Sequence, residues 1–221
     1  MRKAALVIAL ISGCATAHPP AAGEPGEELR LELARAYMRT GAYVAALPLI
    51  QRSLAERPSD PEVRTLYATV LRERKLYEQA ETEFLTVVHA APRHAPAWAG
   101  LGIVYDLLHR PGEAERAHTR SVKLEPKNAA YWNNLGFSRL IAGREEAAIQ
   151  ALEHALALDP SLVVAYNNLG FAYGRRGDDE RAQRCFRAAG SDEGAATNLL
   201  LVHSLREAAE PTRADEKGGR P

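Results

Sequence analysis

The chain has 221 residues, of which 46% are hydrophobic, 25% charged and 6% aromatic, and its 28 basic residues equal its 28 acidic residues in number. The hydrophobic fraction excludes a wholly disordered chain, and zero formal charge argues against the basic surface that nucleic-acid binding usually requires. Alanine, leucine, arginine and glutamate dominate while β-branched residues are sparse, and this composition favours helix throughout. The sequence therefore predicts an all-α protein.

The amino-terminal segment has the three-part layout of an export signal. Met1-Arg2-Lys3 is basic, residues 4–11 are apolar, and two small residues then precede Cys14. The apolar run is far shorter than the roughly 20 residues that a transmembrane helix needs. Residues 1–13 are therefore predicted to be a signal peptide.

The run Ile11-Ser12-Gly13-Cys14 resembles the lipobox of bacterial lipoproteins. The resemblance implies lipidation of the Cys14 thiol, cleavage after Gly13 and acylation of the new amino terminus. Several acyl chains together anchor a protein stably, because each buried CH₂ contributes about 0.8 kcal/mol. Ala15 stands where an aspartate would resemble an inner-membrane retention signal, which implies the periplasmic face of the outer membrane. The alternative is an ordinary secretory signal whose cysteine is incidental.

Four prolines recur at a fixed interval of 34 residues after a flexible Pro/Ala/Gly-rich tether at 14–26. A period of this size indicates stacked repeats. A column of small residues and a column of alanines recur at the same period, and Gly41, Gly143 and Gly177 separate the two helices of their units. Lys75 and His109 stand at the equivalent places, so altered turns are expected there. The prolines are Pro58, Pro92, Pro126 and Pro160, the small residues are Ala34, Ala68, Gly102, Gly136 and Gly170, and the units are 27–60, 61–94, 95–128, 129–162 and 163–196.

These columns resemble the tetratricopeptide-repeat (TPR) family. The resemblance implies a right-handed superhelical solenoid of about five helix-turn-helix units, with the first helix of each unit lining a concave groove. His118 departs from the pattern, since it replaces a bulky apolar residue. Residues 197–210 are predicted to form a capping helix, which covers the open end of a solenoid. Residues 211–221 lack apolar side chains and are predicted to be disordered.

The sequence contains none of the motifs that support catalysis or ion binding. We find no nucleophile elbow, phosphate-binding glycine loop, His-Glu-x-x-His, paired Cys-x-x-Cys or calcium loop. Cys185 has no disulfide partner if Cys14 carries lipid, and its place on an apolar helical stripe favours a core role over a redox role. We therefore predict no enzyme, no catalytic residue, no metal, no cofactor and no small-molecule substrate.

Two successive units contain the same five-residue motif, Asn-Asn-Leu-Gly-Phe, and its Asn-Leu part recurs at Asn198-Leu199. Asparagine is a mediocre helix former, so its recurrence calls for a reason. In related repeat proteins the asparagine before Leu-Gly faces the groove and bonds to the main chain of an extended peptide, a task that suits an amide because it both donates and accepts. The alternative, that these amides only join neighbouring helices, stays open. The predicted groove residues are Asn133, Asn134, Phe137, Asn167, Asn168, Phe171 and Asn198.

A lipobox joined to such repeats resembles the outer-membrane lipoproteins of pilus and secretion systems. The pattern over residues 129–205 most resembles the TadD-type lipoproteins of the tight-adherence (Flp) pilus system. The resemblance implies a lipid-anchored, pilotin-like scaffold that binds a secretin or another apparatus subunit. The alternatives are a type IV pilus secretin-assembly lipoprotein, an adaptor for peptidoglycan enzymes and, more distantly, an enzyme that uses Cys185.

Overall fold

The computed structural model describes residues 26–209, and over that range the chain forms eleven α-helices and no strand. The predicted signal peptide, Cys14, nearly all of the tether and the predicted tail lie outside these residues. The prediction of an all-α solenoid is confirmed. The helices are α1 Glu27–Arg39, α2 Tyr43–Glu56, α3 Pro61–Glu73, α4 Tyr77–Ala90, α5 Ala95–Leu107, α6 Pro111–Leu124, α7 Ala129–Ile141, α8 Glu145–Leu158, α9 Val163–Arg175, α10 Asp179–Ala189 and α11 Asp192–Ala209.

Each pair of helices is joined by a tight turn with one residue in the left-handed region. The turn glycines Gly41, Gly143 and Gly177 have φ values of 74°, 71° and 84°. Lys75 and His109 adopt the same conformation, with φ values of 62° and 56°, so the expectation of altered turns in these units is wrong. The packing of the flanking helices fixes the path of the chain through the turn. Lysine and histidine are therefore held in a left-handed backbone conformation that glycine adopts with less strain.

Small residues on the first helices allow the second helices to approach closely. A Cβ added at Gly136 would lie 2.6 Å from Leu152 Cγ, and one added at Gly170 would lie 2.5 Å from Phe186 Cε1. The fully buried alanines of the second helices, such as Ala148, complete these contacts. Each pair thereby buries its apolar stripe against its neighbours, as a stacked-repeat protein requires.

The first helices also contact one another along the stack, α3 with α5, α5 with α7, α7 with α9 and α9 with α11. They therefore line one continuous face of the solenoid, which we call the inner face. The last of them, α11, begins at Asp192, before the predicted start of the capping helix at residue 197. Ser191 explains the earlier start, because its Oγ accepts from the Gly194 amide at 3.2 Å and Asp192 and Glu193 suit the positive end of a helix.

Within the range that the structure describes, no helix is both long enough and apolar enough to cross a membrane.

Candidate functional site: the inner face of the solenoid

The predicted asparagines form a ladder that joins three first helices. Asn168 Nδ2 on α9 donates to Asn133 Oδ1 on α7 at 2.9 Å, and Asn133 Nδ2 donates to the adjacent Asn134 Oδ1 at 3.4 Å. Asn198 Nδ2 on α11 lies 3.5 Å from Asn167 Oδ1, at the limit of a hydrogen bond. The structure thus places the amide of Asn133, which is buried, in contacts between helices rather than in an open groove.

Asn134 keeps the greatest capacity for a ligand among these amides. It is half-buried, and its only hydrogen bond within residues 26–209 is the long one that its Oδ1 accepts from Asn133. Its Nδ2 group therefore has two hydrogens to donate. A main-chain carbonyl of a bound segment is a suitable acceptor for them.

The two predicted phenylalanines occupy different environments. Phe137 is 42% exposed, whereas Phe171 is half-buried and packs edge-on against Phe186, with ring centroids 5.2 Å apart and an interplanar angle of 74°. The second helix facing Phe137 carries the smaller Leu152 at the place of Phe186. Phe137 therefore offers the more accessible apolar surface.

Phe137 lines a pocket of about 300 Å³ formed by α5, α6 and α7, which we call the α5–α7 pocket. Its apolar walls are Ile103, Leu107, Phe137 and Ile141. Of these four residues only Phe137 was predicted from the sequence, although the repeat pattern contained a signal for the others. Ile103 and Leu107 stand one repeat before Phe137 and Ile141. The remaining lining residues are Asp106, His109, His118 and Asn134.

A buried polar cluster adjoins this pocket. His118 is fully buried, and its Nε2 lies 2.9 Å from Asp106 Oδ2, while Ser138 Oγ donates to Asp106 Oδ1 at 2.7 Å. Because an ionised carboxylate only accepts, Nε2 is the protonated ring nitrogen. The buried Nδ1 of His118 has no hydrogen-bond partner among the described residues. His118, which departs from the repeat pattern, thus belongs to a three-residue cluster with Asp106 and Ser138, neither of which was predicted from the sequence.

The inner face changes character along the solenoid. At its amino-terminal end it is charged, and Arg35 on α1 pairs with Glu62 on α3. From α5 onward its exposed side chains include Leu107, Phe137 and Ile141 around the α5–α7 pocket, and Leu201 and Leu205 on α11 are exposed beyond the pocket. A partner with apolar side chains is therefore better accommodated by the carboxyl-terminal half.

Cys185 contacts the core beneath α9 and α10. Its side chain is half-buried and packs against a cluster that includes Phe186. Burial raises the pKa of the thiol to about 11. Cys185 is therefore protonated at neutral pH, which is unfavourable for a nucleophile.

In the part of the chain that the structure describes, no group of three or more histidine, cysteine, aspartate or glutamate side chains is arranged to hold a metal ion.

Comparison with known proteins identifies the repeats. The sequence profile of the family described as "Tetratricopeptide repeat" matches residues 25–70 and 39–101, and a second profile described as "TPR repeat" matches residues 139–177. This chain belongs to the tetratricopeptide-repeat family. Stacked-repeat proteins of this kind use their curved inner surfaces to bind other proteins, and this TPR protein is such an interaction scaffold.

Several solved structures share its fold at low sequence identity. TTC0263, a thermophilic TPR protein of Thermus thermophilus, superposes with a TM-score of 0.72 and 23% identity, covering 81% of this chain and 100% of that one. YrrB, described as a TPR protein with an unusual peptide-binding site, gives a TM-score of 0.59 and 18% identity over 79% of this chain and 90% of that one. MamA (residues 41 to the end) of Desulfovibrio magneticus RS-1 gives 0.58 and 22% over 84% and 97%. At these identities the likeness concerns the fold.

One curated protein is similar over a short stretch. The Vi polysaccharide export protein VexE of Salmonella typhi is 46% identical over 52 residues, which is 24% of this chain. The match spans only 8% of VexE, so the two proteins share a segment rather than an overall organisation.

Proposed function

We propose that this TPR protein is a lipid-anchored scaffold at the periplasmic face of the outer membrane, which binds an extended segment of another envelope protein. In this proposal it acts like a pilotin and assists the assembly of a secretin or another subunit of a pilus or secretion apparatus. This is the role that its resemblance to TadD-type lipoproteins implies. The observation that carries the proposal is the inner face of α5 to α11, where Asn134 has free donors beside the exposed ring of Phe137.

The geometry of that face suits an extended segment. A main chain without regular structure presents unpaired carbonyl groups, and the free Nδ2 of Asn134 can donate to one of them. Phe137 and Ile141 lie on the same side of α7 and offer apolar surface to the side chains of the same segment. Polar contacts to the main chain hold a segment of varied sequence, while the apolar pocket selects one side chain.

The proposed location is supported by the amino-terminal sequence. The basic start, the apolar run and the Ile11-to-Cys14 pattern resemble a lipoprotein signal. The similar stretch of VexE belongs to an export protein, which agrees with a role in the cell envelope. Replacement of Cys14 by alanine is expected to move the protein from the membrane fraction to the soluble fraction and to abolish labelling by radioactive palmitate. Unchanged membrane association of Cys14→Ala would refute the lipid anchor.

The partner is best identified by crosslinking in living cells. A photoreactive residue at Phe137 is expected to crosslink to a secretin or another apparatus subunit, because this side chain is exposed on the inner face. The same residue at Gln150, which is exposed on the second helix α8, serves as the matched control. Capture of a peptidoglycan hydrolase would favour the adaptor alternative, and capture of a type IV pilus secretin would favour the other lipoprotein alternative. Equal crosslinking from both positions would contradict binding at the inner face.

Two asparagine variants separate a ligand contact from a structural contact. Asn134→Ala removes only a long internal hydrogen bond, so we expect weaker crosslinking from Phe137 with an unchanged melting temperature. Asn168→Ala removes the 2.9 Å bond between α9 and α7, so we expect a lowered melting temperature as well. Full crosslinking in Asn134→Ala would exclude this amide as a ligand contact.

A further inference from the structure

Asp106 is a buried carboxylate whose basic partner is a histidine, His118. Its side chain is 8% exposed, and within residues 26–209 its contacts are His118 Nε2 and Ser138 Oγ, with no lysine or arginine in ion-pair distance. An ionised carboxylate offers about four lone-pair positions, and these two contacts use two of them. The oxygens of Asp106 can therefore accept further hydrogen bonds from a group that enters the α5–α7 pocket, which Asp106 lines.

Two carboxyl-terminal helix ends lie at the pocket, together with the amino-terminal end of α6. Asp106 lies in the last turn of α5, and Ile141, on the opposite wall, is the last residue of α7. The carboxyl-terminal end of a helix has a partial negative charge of about half an elementary charge. A carboxylate at such a position is unfavourable. A bound cation is favoured by the carboxylate and by the two carboxyl-terminal helix ends, and the positive amino-terminal end of α6 at Pro111 offsets part of this effect.

The polar cluster replaces residues that are mostly apolar elsewhere in the solenoid. A well-packed apolar contact stabilises a helix interface at least as well as a buried polar group does. Three polar residues at one interface between repeats, one of them with an orphaned buried nitrogen, therefore point to a purpose other than stability. The equivalents in other repeats are Met38, Arg72, Leu140 and Gly174 for Asp106, Ile50, Phe84, Leu152 and Phe186 for His118, and Ala36, Val70, Val104 and Ala172 for Ser138.

The walls of the pocket fit a long side chain with an apolar stem. Its volume of about 300 Å³ is at the lower end of the range for ligand pockets, so it suits one side chain rather than a larger ligand. Ile103, Leu107 and Ile141 provide aliphatic contacts, and the exposed ring of Phe137 provides a π-face that attracts a cation. Lysine combines a four-carbon stem with a compact ammonium group that donates three hydrogen bonds.

We propose that the α5–α7 pocket binds a lysine side chain of the partner segment, with the stem between Ile103, Leu107, Phe137 and Ile141 and the ammonium group at Asp106. The inference rests on the proposed function, since it names the side chain that the segment inserts. In this arrangement Asn134, at the edge of the pocket, is placed to hold the adjacent main chain. His118 and Ser138 keep the carboxylate in position rather than contacting the ammonium group themselves.

The test uses blocked peptides of alanine and serine that carry one variable central residue: lysine, norleucine, glutamate or tryptophan. Norleucine has the stem of lysine without its charge. Binding of each labelled peptide to the purified protein is measured at neutral pH by fluorescence anisotropy. We expect the lysine peptide to bind about tenfold more tightly than the norleucine peptide, since one charge-assisted contact supplies a factor of this size. A norleucine or tryptophan peptide that binds as well as the lysine peptide, or no binding by any peptide, would overturn the proposal.

Two variants test the roles of the carboxylate and the stem contact separately. Asp106→Asn keeps the shape of the side chain and is expected to remove the preference for lysine over norleucine. Ile141→Ser is expected to weaken both peptides by a similar factor. Val44→Ser is the control, because Val44 is exposed on the second helix α2, away from the inner face and outside the pocket. Equal loss in Ile141→Ser and Val44→Ser, or an unchanged lysine preference in Asp106→Asn, would contradict the proposal.

These measurements are independent of the crosslinking experiment. If the purified protein prefers the lysine peptide while Phe137 captures no envelope protein in cells, the pocket assignment stands and the proposed function fails. If Phe137 captures an envelope subunit while the purified protein shows no preference for lysine, only the pocket assignment fails.

Discussion

Replacing Gly136 by alanine tests whether close helix approach explains the column of small residues. The new Cβ would lie 2.6 Å from Leu152 Cγ and 3.2 Å from the Ala148 carbonyl oxygen. Ordinary contacts between carbon atoms are about 3.5–4.0 Å, so α7 and α8 would have to separate by about 1 Å. One close atom is the branch point of Leu152, which moves only if χ1 of this buried side chain changes, and another is a backbone oxygen, which cannot move independently of its helix.

The expected loss follows from two opposing effects. Alanine is about 1 kcal/mol more favourable than glycine within a helix. Overpacking a well-packed core costs about 1–3 kcal/mol, and the contact with backbone places Gly136→Ala at the upper end. The net destabilisation is about 1–2 kcal/mol, which lowers the melting temperature by about 2–8 °C in a protein of this size.

The assay is thermal unfolding followed by circular dichroism, with Gly112→Ala as the control. Gly112 also lies in a helix, but the nearest atom to its added Cβ is Arg116 Nη1 at 4.0 Å, so we expect an unchanged or raised melting temperature. Leu152→Ala alone should cost about 2–5 kcal/mol, and Gly136→Ala in that background should cost less, because the added methyl group enters the vacated space. A melting temperature of Gly136→Ala equal to that of the unaltered protein, or strict additivity with Leu152→Ala, would refute the packing explanation.

Three further predictions concern side chains that lie at contacts between helices. His118→Leu should lower the free energy of unfolding, measured by chemical denaturation, by about 1–3 kcal/mol, because Asp106 loses a partner. The triple variant Asp106→Leu, His118→Leu, Ser138→Ala should be at least as stable as the unaltered protein. A triple variant less stable than His118→Leu would contradict this. With Cys14 replaced by alanine, alkylation of Cys185 by iodoacetamide should rise about tenfold per pH unit up to a pH of about 11, and a plateau near pH 8 would be inconsistent with the raised thiol pKa. Burial raises the pKa of Asp179, but hydrogen bonds from His203 and Arg206 outweigh this effect and hold the pKa below its ordinary value of 3.8. The ionised Asp179 carboxylate therefore stabilises the docking of α11 at pH values above 3.8, and this stabilisation is lost as the pH falls through the pKa of the folded state. Asp179→Asn should accordingly speed amide hydrogen exchange in α11 at neutral pH but not in α7. The same exchange rates in α11 of the variant and of the unaltered protein would exclude a stabilising role for the Asp179 carboxylate.

The repeat architecture could be predicted from sequence because it depends on local contacts. Each helix packs against neighbours at most one or two elements away, so the columns at a period of 34 residues record the packing directly. The columns did not reveal that Lys75 and His109 would adopt the left-handed turn of the glycines, since the flanking helices rather than the residue type decide that conformation.

The candidate site was predicted only in part, for a physical reason. Asn134 and Phe137 were found because they recur in a five-residue motif, and both remain available to a ligand. Asn133 and Asn168 belong to the same five-residue motif, but they hydrogen-bond to each other between adjacent repeats. This could not be predicted, because the sequence does not give the orientation of an amide side chain. The repeat columns of Phe137 and Ile141 also contain Ile103 and Leu107, so the sequence held a signal for these residues. A position on a helix does not by itself, however, distinguish a wall of a pocket from a packed surface.

The sequence by itself therefore determined that the chain is helical and that its helices pair at a period of 34 residues, because small and apolar residues recur at that spacing. The face that the first helices share was implied by the resemblance to the TPR family. Only the tertiary structure decided which polar residues meet. Asp106, His118 and Ser138 come from three helices and stand in three different columns, so no spacing along the chain relates them. Their contact depends on the angle and distance at which α5, α6 and α7 pack, and these are set by the summed shapes of many side chains rather than by any motif.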